Sequence, residues 1–290
     1  MGYPTYSSSA RTVRADTLGY MTKSSNEIFK ERSINNAMSP YGVKLRESRD
    51  SIEHPNSVPI IIALDVTGSM GTVPHHLIKT GLPDIMESII SSGIKDPQIL
   101  FLAIGDHEGD RSPLQVGQFE SSDDLLDKWL TTVWLEGGGG GNDGESYMLA
   151  WYFAKYHTEI DSLDKRNKKG YLFTIGDEPV LNSIPERVLK RIMGNGQYQT
   201  FKSEDLLAGA GEKYNTFHIH IKETHSGSRK YVMDGWKQLM SDNLLIADRH
   251  DQVAGLIADI VLEGESVIDD AADTTIVDEK ERVNFDDIML

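Results

Sequence analysis

The sequence predicts an α/β fold: a mostly parallel central sheet with helices on both of its faces. Three observations lead there. Short apolar runs bounded by turn signals recur at 58–65, 98–105, 170–176, 216–221 and 244–247. Stretches with apolar residues at helical spacing lie between them. The runs at 58–65 and 98–105 are apolar at nearly every position, as strands buried on both faces must be. Strands that alternate with helices in this way build parallel sheets through crossover connections.

Residues 1–56 are rich in Ser, Arg, Asn and Tyr, lack strong periodicity, and read as an N-terminal arm. Within it, Ser24-Ser25-Asn26-Glu27 has capping-box spacing and precedes Ile28 and Phe29, which predicts one short helix. The domain proper occupies 57–264. Its first strand, 58–65, leads into a helix over about 72–92, with Leu77, Ile78, Leu82, Ile85, Ile89 and Ile90 at helical spacing. Pro83 should bend or divide that helix, because it lacks an N–H and its ring collides with the preceding turn. The strand at 98–105 can pair as a hairpin with a short strand near 114–119. Ser121-Ser122-Asp123-Asp124 caps a helix that reaches about Val133. A glycine run, Gly137 to Gly141, opens a loop, and a helix follows from Glu145 to His157. The strand 170–176 ends in Asp177, and Ser183-Ile184-Pro185-Glu186 signals another helix through a capping box and an early proline. A strand at 216–221, a helix at about 230–240, a strand at 244–247 and a helix at about 250–263 complete the domain. Residues 265–290 form an acidic C-terminal tail, poor in core residues until Val283-Asn284-Phe285-Asp286-Asp287-Ile288-Met289-Leu290.

Composition narrows the function. A net charge of -16 argues against non-specific binding to nucleic acid or to an anionic membrane, both of which need clustered Lys and Arg. The chain has no cysteine, which excludes disulfides, thiolate catalysis and Cys-based zinc sites. No apolar core follows Met1-Gly2-Tyr3-Pro4-Thr5-Tyr6, and no apolar stretch is long enough to span a bilayer. A cytoplasmic location is the expectation.

The chemistry concentrates where the first strand ends. Asp65, Thr67 and Ser69 lie just past its C-terminal end, where open α/β sheets bind ligands. One carboxylate and two hydroxyls on a tight glycine-containing loop are hard oxygen donors that suit Mg²⁺, Mn²⁺ or Ca²⁺.

Asp65-Val66-Thr67-Gly68-Ser69 resembles the D-x-[ST]-x-S opening of the metal-ion-dependent adhesion site in von Willebrand factor A domains. The resemblance covers roughly residues 57–263 and rests on motif order and on the β/α alternation. It implies a Rossmann-like, doubly wound sheet with one antiparallel edge strand, here 114–119, and a divalent cation at the C-terminal edge of the central strand. It further implies that Thr67 and Ser69 bind the ion through their hydroxyls, while Asp65 acts mainly through water or a hydroxyl hydrogen bond. Asp177, after Thr174-Ile175-Gly176, is similar to the family's final Asp, although the family has Asp-Gly where this chain has Gly-Asp. The family's middle Thr lies in a glycine-rich loop. The matching stretch here, Gly137 to Gly141 and then Asn142-Asp143-Gly144-Glu145-Ser146, contains no Thr. Asn142, Asp143 or Ser146 would substitute as an oxygen donor, with Asp143 favoured. The expected ligand set is therefore Asp65, Thr67, Ser69, Asp143 and Asp177.

Neutral hydroxyls hold a hard cation without cancelling its charge, so a partner's Asp or Glu carboxylate can complete the shell. The reading is a non-enzymatic protein-binding module. Direct coordination by Asp143 would lessen the pull on an outside carboxylate. Two alternatives accompany it. One is a structural subunit with the metal as a staple, self-associating through the arm or through a tail acid such as Asp269, Asp270, Asp286 or Asp287. The other is a Mg²⁺-dependent phosphatase of the haloacid dehalogenase type, which needs a second acid where Thr67 stands.

Other signals read as structure. Asp106, Glu108 and Asp110 have the spacing that begins a calcium loop, but Gly117 occupies the position where such a loop needs a Glu, so a hairpin turn is expected. His218 and His220 share a strand face without a third zinc ligand nearby. His75 and His76 read as a solvated helix end, the aromatic group Tyr147, Trp151, Tyr152, Phe153 and Tyr156 as helix packing, and Trp134 as core or partner contact. The glycine run lacks the context of a nucleotide-binding loop.

Overall fold

The computed structural model describes residues 5–68, 70–138 and 144–266. The described strands are β1 Arg46–Ser48, β2 Val58–Asp65, β3 Pro97–Ile104, β4 Leu114–Val116, β5 Thr158–Ile160, β6 Gly170–Gly176, β7 Ser183–Ile184, β8 Phe201–Lys202, β9 Tyr214–Ile221 and β10 Leu244–Ala247. The helices are α1 Ser8–Leu18, α2 Ser25–Ile28, α3 Thr72–His76, α4 Leu82–Ser91, α5 Asp123–Thr131, α6 Met148–Tyr156, α7 Asp161–Arg166, α8 Glu186–Met193, α9 Ser203–Ala210 and α10 Lys230–Met240. A further helix, α11, spans 253–266.

Six strands form the central sheet in the order β10-β9-β6-β2-β3-β4. Every neighbour is parallel except the β3–β4 pair, which is antiparallel. The chain starts in the middle at β2, winds outward through β3 and β4, then returns to the other side of β2 and winds out through β6, β9 and β10. This is the doubly wound, Rossmann-like arrangement expected from the sequence, antiparallel edge strand included. Its strand order reverses between β2 and β6, and the crevice at such a switch point is where open α/β sheets take ligands.

Alternation along the strands feeds two cores. Ile60, Ile62 and Leu64 of β2, with Phe101, Phe173 and Ile219, face one layer that includes α4, α5 and α11. Ile61 and Ala63, with Leu100, Leu102 and Leu172, face the other, which includes α6, α8, α9 and α10. Both faces are covered, which is why β2 is buried at every position. Among the described residues, no helix is long and apolar enough to cross a membrane.

Several local expectations change. Pro83 divides its helix through a π-helical turn, Leu77–Gly81, which carries the chain from α3 into α4. The wider turn removes the clash that a proline imposes on a regular helix. The capping box expected at Ser183–Glu186 does not form. Ser183 and Ile184 pair with Lys202 and Phe201 as an antiparallel ribbon, and the burial of Ile184 holds the chain extended until α8 begins at Glu186. The helix expected from Glu145 starts at Met148, because Glu145 forms a parallel bridge with Val180. β4 is shorter than the expected 114–119, although an Ile99–Glu120 bridge continues the pairing.

Residues 5–56 wrap the domain. The capping box at Ser24 forms, with the Ser24 N–H donating to Glu27 at 2.9 Å. Sequence periodicity did not signal α1, whose anchor is polar: buried Arg11 pairs with Asp127 of α5 at 2.7 Å and donates to the Ile78 carbonyl. β1 pairs in parallel with β5, a two-stranded ribbon too short to announce itself in sequence.

Candidate metal centre

Asp65 is the last residue of β2 and is fully buried. Its Oδ1 accepts from the Thr67 N–H at 2.9 Å and from the Thr67 hydroxyl at 2.6 Å. Its Oδ2 accepts from the Tyr147 hydroxyl at 2.9 Å. The carboxylate is thus oriented through both oxygens. Burial, joined by the charge of Asp177, pushes its pKa up to about 7 against the pull of the Thr67 hydrogen bonds.

Asp177 follows β6 directly and is fully buried on the other side of the switch point. The Gly-Asp order before it has a steric cause. A Cβ at Gly176 would lie 1.8 Å from the Tyr147 hydroxyl oxygen, so glycine makes the room from which Tyr147 reaches Asp65. Tyr147 is wedged edge-on against His218 and Trp236, with ring centroids 5.2 and 5.3 Å away.

The glycine loop meets the Asp65 loop as the motif order implies. The Gly68 N–H donates to the Gly138 carbonyl at 3.0 Å. Gly137 has φ 65°, a left-handed conformation that favours glycine. The loop is steadied from the β3–β4 hairpin, where the Arg111 and Ser112 N–H groups donate to Glu136 at 3.0 and 3.1 Å.

Of the expected ligands, the structure brings Asp65, Thr67 and Asp177 to the same edge of the sheet. Ser69 and Asp143 lie outside the described residues, as does Asn142. Ser146, a candidate substitute for the loop Thr, has its hydroxyl engaged with His107, at 2.9 Å from the backbone N and 2.7 Å from Nδ1. Among the described residues, no three His, Asp or Glu side chains form a ready metal-binding group by themselves.

Sequence reasoning missed two residues at this edge. Tyr147 reads in the sequence as helix packing, yet it holds Asp65, and the glycine before Asp177 is the available signal. Glu145 is buried and its Oε2 has no hydrogen-bond partner among the described residues. Burial, then the charges of Asp65, Asp110, Asp106 and Glu178, push its pKa up to about 10.

The remaining signals are structural. The Asp106 carboxylate accepts from the Glu108 N–H at 2.8 Å, and Asp110 accepts from the Asp106 N–H at 2.8 Å, which makes a self-bonded turn. His218 is fully buried, stacks on Trp236 at 3.4 Å and lies 3.0 Å from the Thr174 hydroxyl; burial drives its pKa well down. His220 lies 2.8 Å from the Gly227 carbonyl. Trp134 is core, its backbone bonded twice to Gln115.

No protein-family model matches the chain, and no curated protein matches it. Solved structures do. Proximal thread matrix protein 1 of the mussel byssus is 10% identical, with a TM-score of 0.46 over 72% of this chain and 48% of its own. The pilus adhesin SpaC of Lactobacillus rhamnosus GG is 12% identical, with a TM-score of 0.46 over 77% of this chain and 31% of its own. The vWF domain of the type V pili tip protein Mfa5 of Porphyromonas gingivalis is 8% identical, with a TM-score of 0.45 over 73% of this chain and 95% of its own. The chain therefore spans less than half the length of the first two. The strand order described above, not these likenesses, establishes the fold.

Proposed function

We propose that this protein is a non-enzymatic binding module that holds a divalent cation, Mg²⁺ or else Mn²⁺ or Ca²⁺, at the switch point and through it binds an acidic residue of a partner protein. One observation carries the reading: Asp65 is fully buried at the end of the central strand, and the strongest charge acting on it is that of another acid, Asp177. Placing such acids together is costly unless a cation offsets them. The donor set fits a hard ion, being oxygen throughout, and the orphaned Glu145 Oε2 at the same edge fits it too.

Thr67 gives its hydroxyl proton to Asp65, which leaves the oxygen lone pairs for the ion. Asp65 and Asp177 supply negative charge, and Tyr147 fixes the first of them. In this reading Ser69 and Asp143 are further oxygen donors of the shell. When bound, the cation supplies a Lewis-acidic centre with an exchangeable position for an outside carboxylate. The expected location remains cytoplasmic.

Calorimetric titration of the full chain with Mg²⁺, Mn²⁺ and Ca²⁺ tests this. Saturable uptake that disappears in Asp65→Ala, and partner capture that chelator abolishes, are the expected results. No uptake at millimolar ion by the wild-type chain would end the proposal.

A further inference from the structure

We infer that Glu145 is a ligand of the cation, its buried carboxylate standing in for the loop hydroxyl that this sequence lacks. The inference rests on the metal-binding reading above and gives a direct role to a residue outside its expected ligand set.

The position of Glu145 is fixed from both sides. Its N–H donates to the Pro179 carbonyl at 2.8 Å and its carbonyl accepts from the Leu181 N–H at 3.0 Å, so it is bound to the segment that leaves Asp177. The next residue, Ser146, donates its N–H to the Gly105 carbonyl at 3.4 Å, just past the end of β3. The residue after that is Tyr147, bonded to Asp65. Glu145 is therefore held at the same edge as both expected acid ligands, by backbone bonds that owe nothing to its side chain.

Its side chain makes no hydrogen bond among the described residues. The residue is 4% exposed, and Oε2 is buried without a hydrogen-bond partner among the described residues. An orphaned buried carboxyl oxygen costs free energy in any protein. The largest charges acting on Glu145 are those of acids, Asp65 foremost. A hydrophobic or amide side chain would serve packing better, whereas a carboxyl is suited to a divalent ion. The alternative donor in the described part of the loop, Ser146, is occupied by His107.

The test titrates the wild-type chain and Glu145→Gln with Mn²⁺ and Ca²⁺, and melts both in chelator. Glu145→Gln should keep the chelator-treated melting temperature and lose about tenfold or more in ion affinity, the scale seen when a metal site loses a supporting group. Equal affinity in the two chains overturns the inference while leaving the metal site standing. So does a Glu145→Gln chain that fails to fold or melts well below wild type in chelator, because Glu145 is then a structural group. A wild-type chain that takes up no ion removes the underlying reading and the inference with it.

Discussion

Gly176→Ala is expected to be among the most damaging single-methyl additions in this protein. Gly176 has no positive φ, so the backbone itself accepts alanine. The cost is steric. The new Cβ would lie 1.8 Å from the Tyr147 hydroxyl oxygen, 2.5 Å from Cζ and 2.7 Å from Cε1. Tyr147 cannot yield easily, because His218 and Trp236 flank its ring and all three are buried. Overpacking of a tight core costs about 1–3 kcal/mol. Displacing the ring also breaks the 2.9 Å bond to Asp65. A hydrogen bond to a charged group adds about 1.5–3 kcal/mol. The sum, roughly 3–6 kcal/mol, is a large part of a typical domain's 5–15 kcal/mol. Urea unfolding of wild type and variant in chelator measures it. Adding Tyr147→Phe should not rescue the variant, since the ring carbons clash as well. A Gly176→Ala chain within about 1 kcal/mol of wild type would refute the argument.

Two further outcomes follow from the buried charges. Arg11→Ala leaves Asp127 buried with, among the described residues, only Arg14, at 3.3 Å, to balance it. Denaturant unfolding should show a loss of about 3 kcal/mol, the lower end for a broken buried pair. The second outcome is a pH profile. In chelator, Asp65 titrates near 7 in the folded protein, and Glu145 near 10. Unfolded carboxyls titrate near about 4. Raised folded values mean that the native state holds the extra protons. Stability is greatest below the unfolded values and is lost as pH rises through about 7 for Asp65 and about 10 for Glu145. Below about pH 6.5 the buried histidines, His218 foremost, act in the opposite sense because their folded values are lowered. The melting temperature in chelator should therefore fall between about pH 7 and 9, where Glu145 still holds its extra proton, and saturating Mn²⁺ should reverse the trend, because ion binding requires the deprotonated carboxylates. A chelator-treated protein that grows more stable over that range contradicts the assignment.

The strands of the central sheet were legible because their burial on two faces writes continuous apolar runs, and β2 begins and ends where Val58 and Asp65 predict. α10 shows its buried stripe, Val232, Trp236 and Met240, at helical spacing, and β10 is a short apolar run despite its place at the sheet edge. What escaped is held by other forces. α1 is moored by Arg11 and Arg14 rather than by an apolar stripe, so its sequence shows no helical face. β5, α7 and α9 are short, and tertiary pairing decides them. At the site, Asp65, Thr67 and Asp177 could be found from motif order. Tyr147 and Glu145 could not, because a tyrosine on a packed helix start and an acid in a polar loop look ordinary until Gly176 and Pro179 show what lies beside them.

The arm has a consequence for synthesis on the ribosome. Ser7, Arg11 and Arg14 emerge before their acidic partners Asp123 and Asp127, which come more than a hundred residues later, the Ser7–Asp123 separation being 116. The arm must therefore wait, undocked, until β2, β3 and α5 have been translated and assembled. Its attachment is a closing event, and contacts made that late slow unfolding more than they hasten folding.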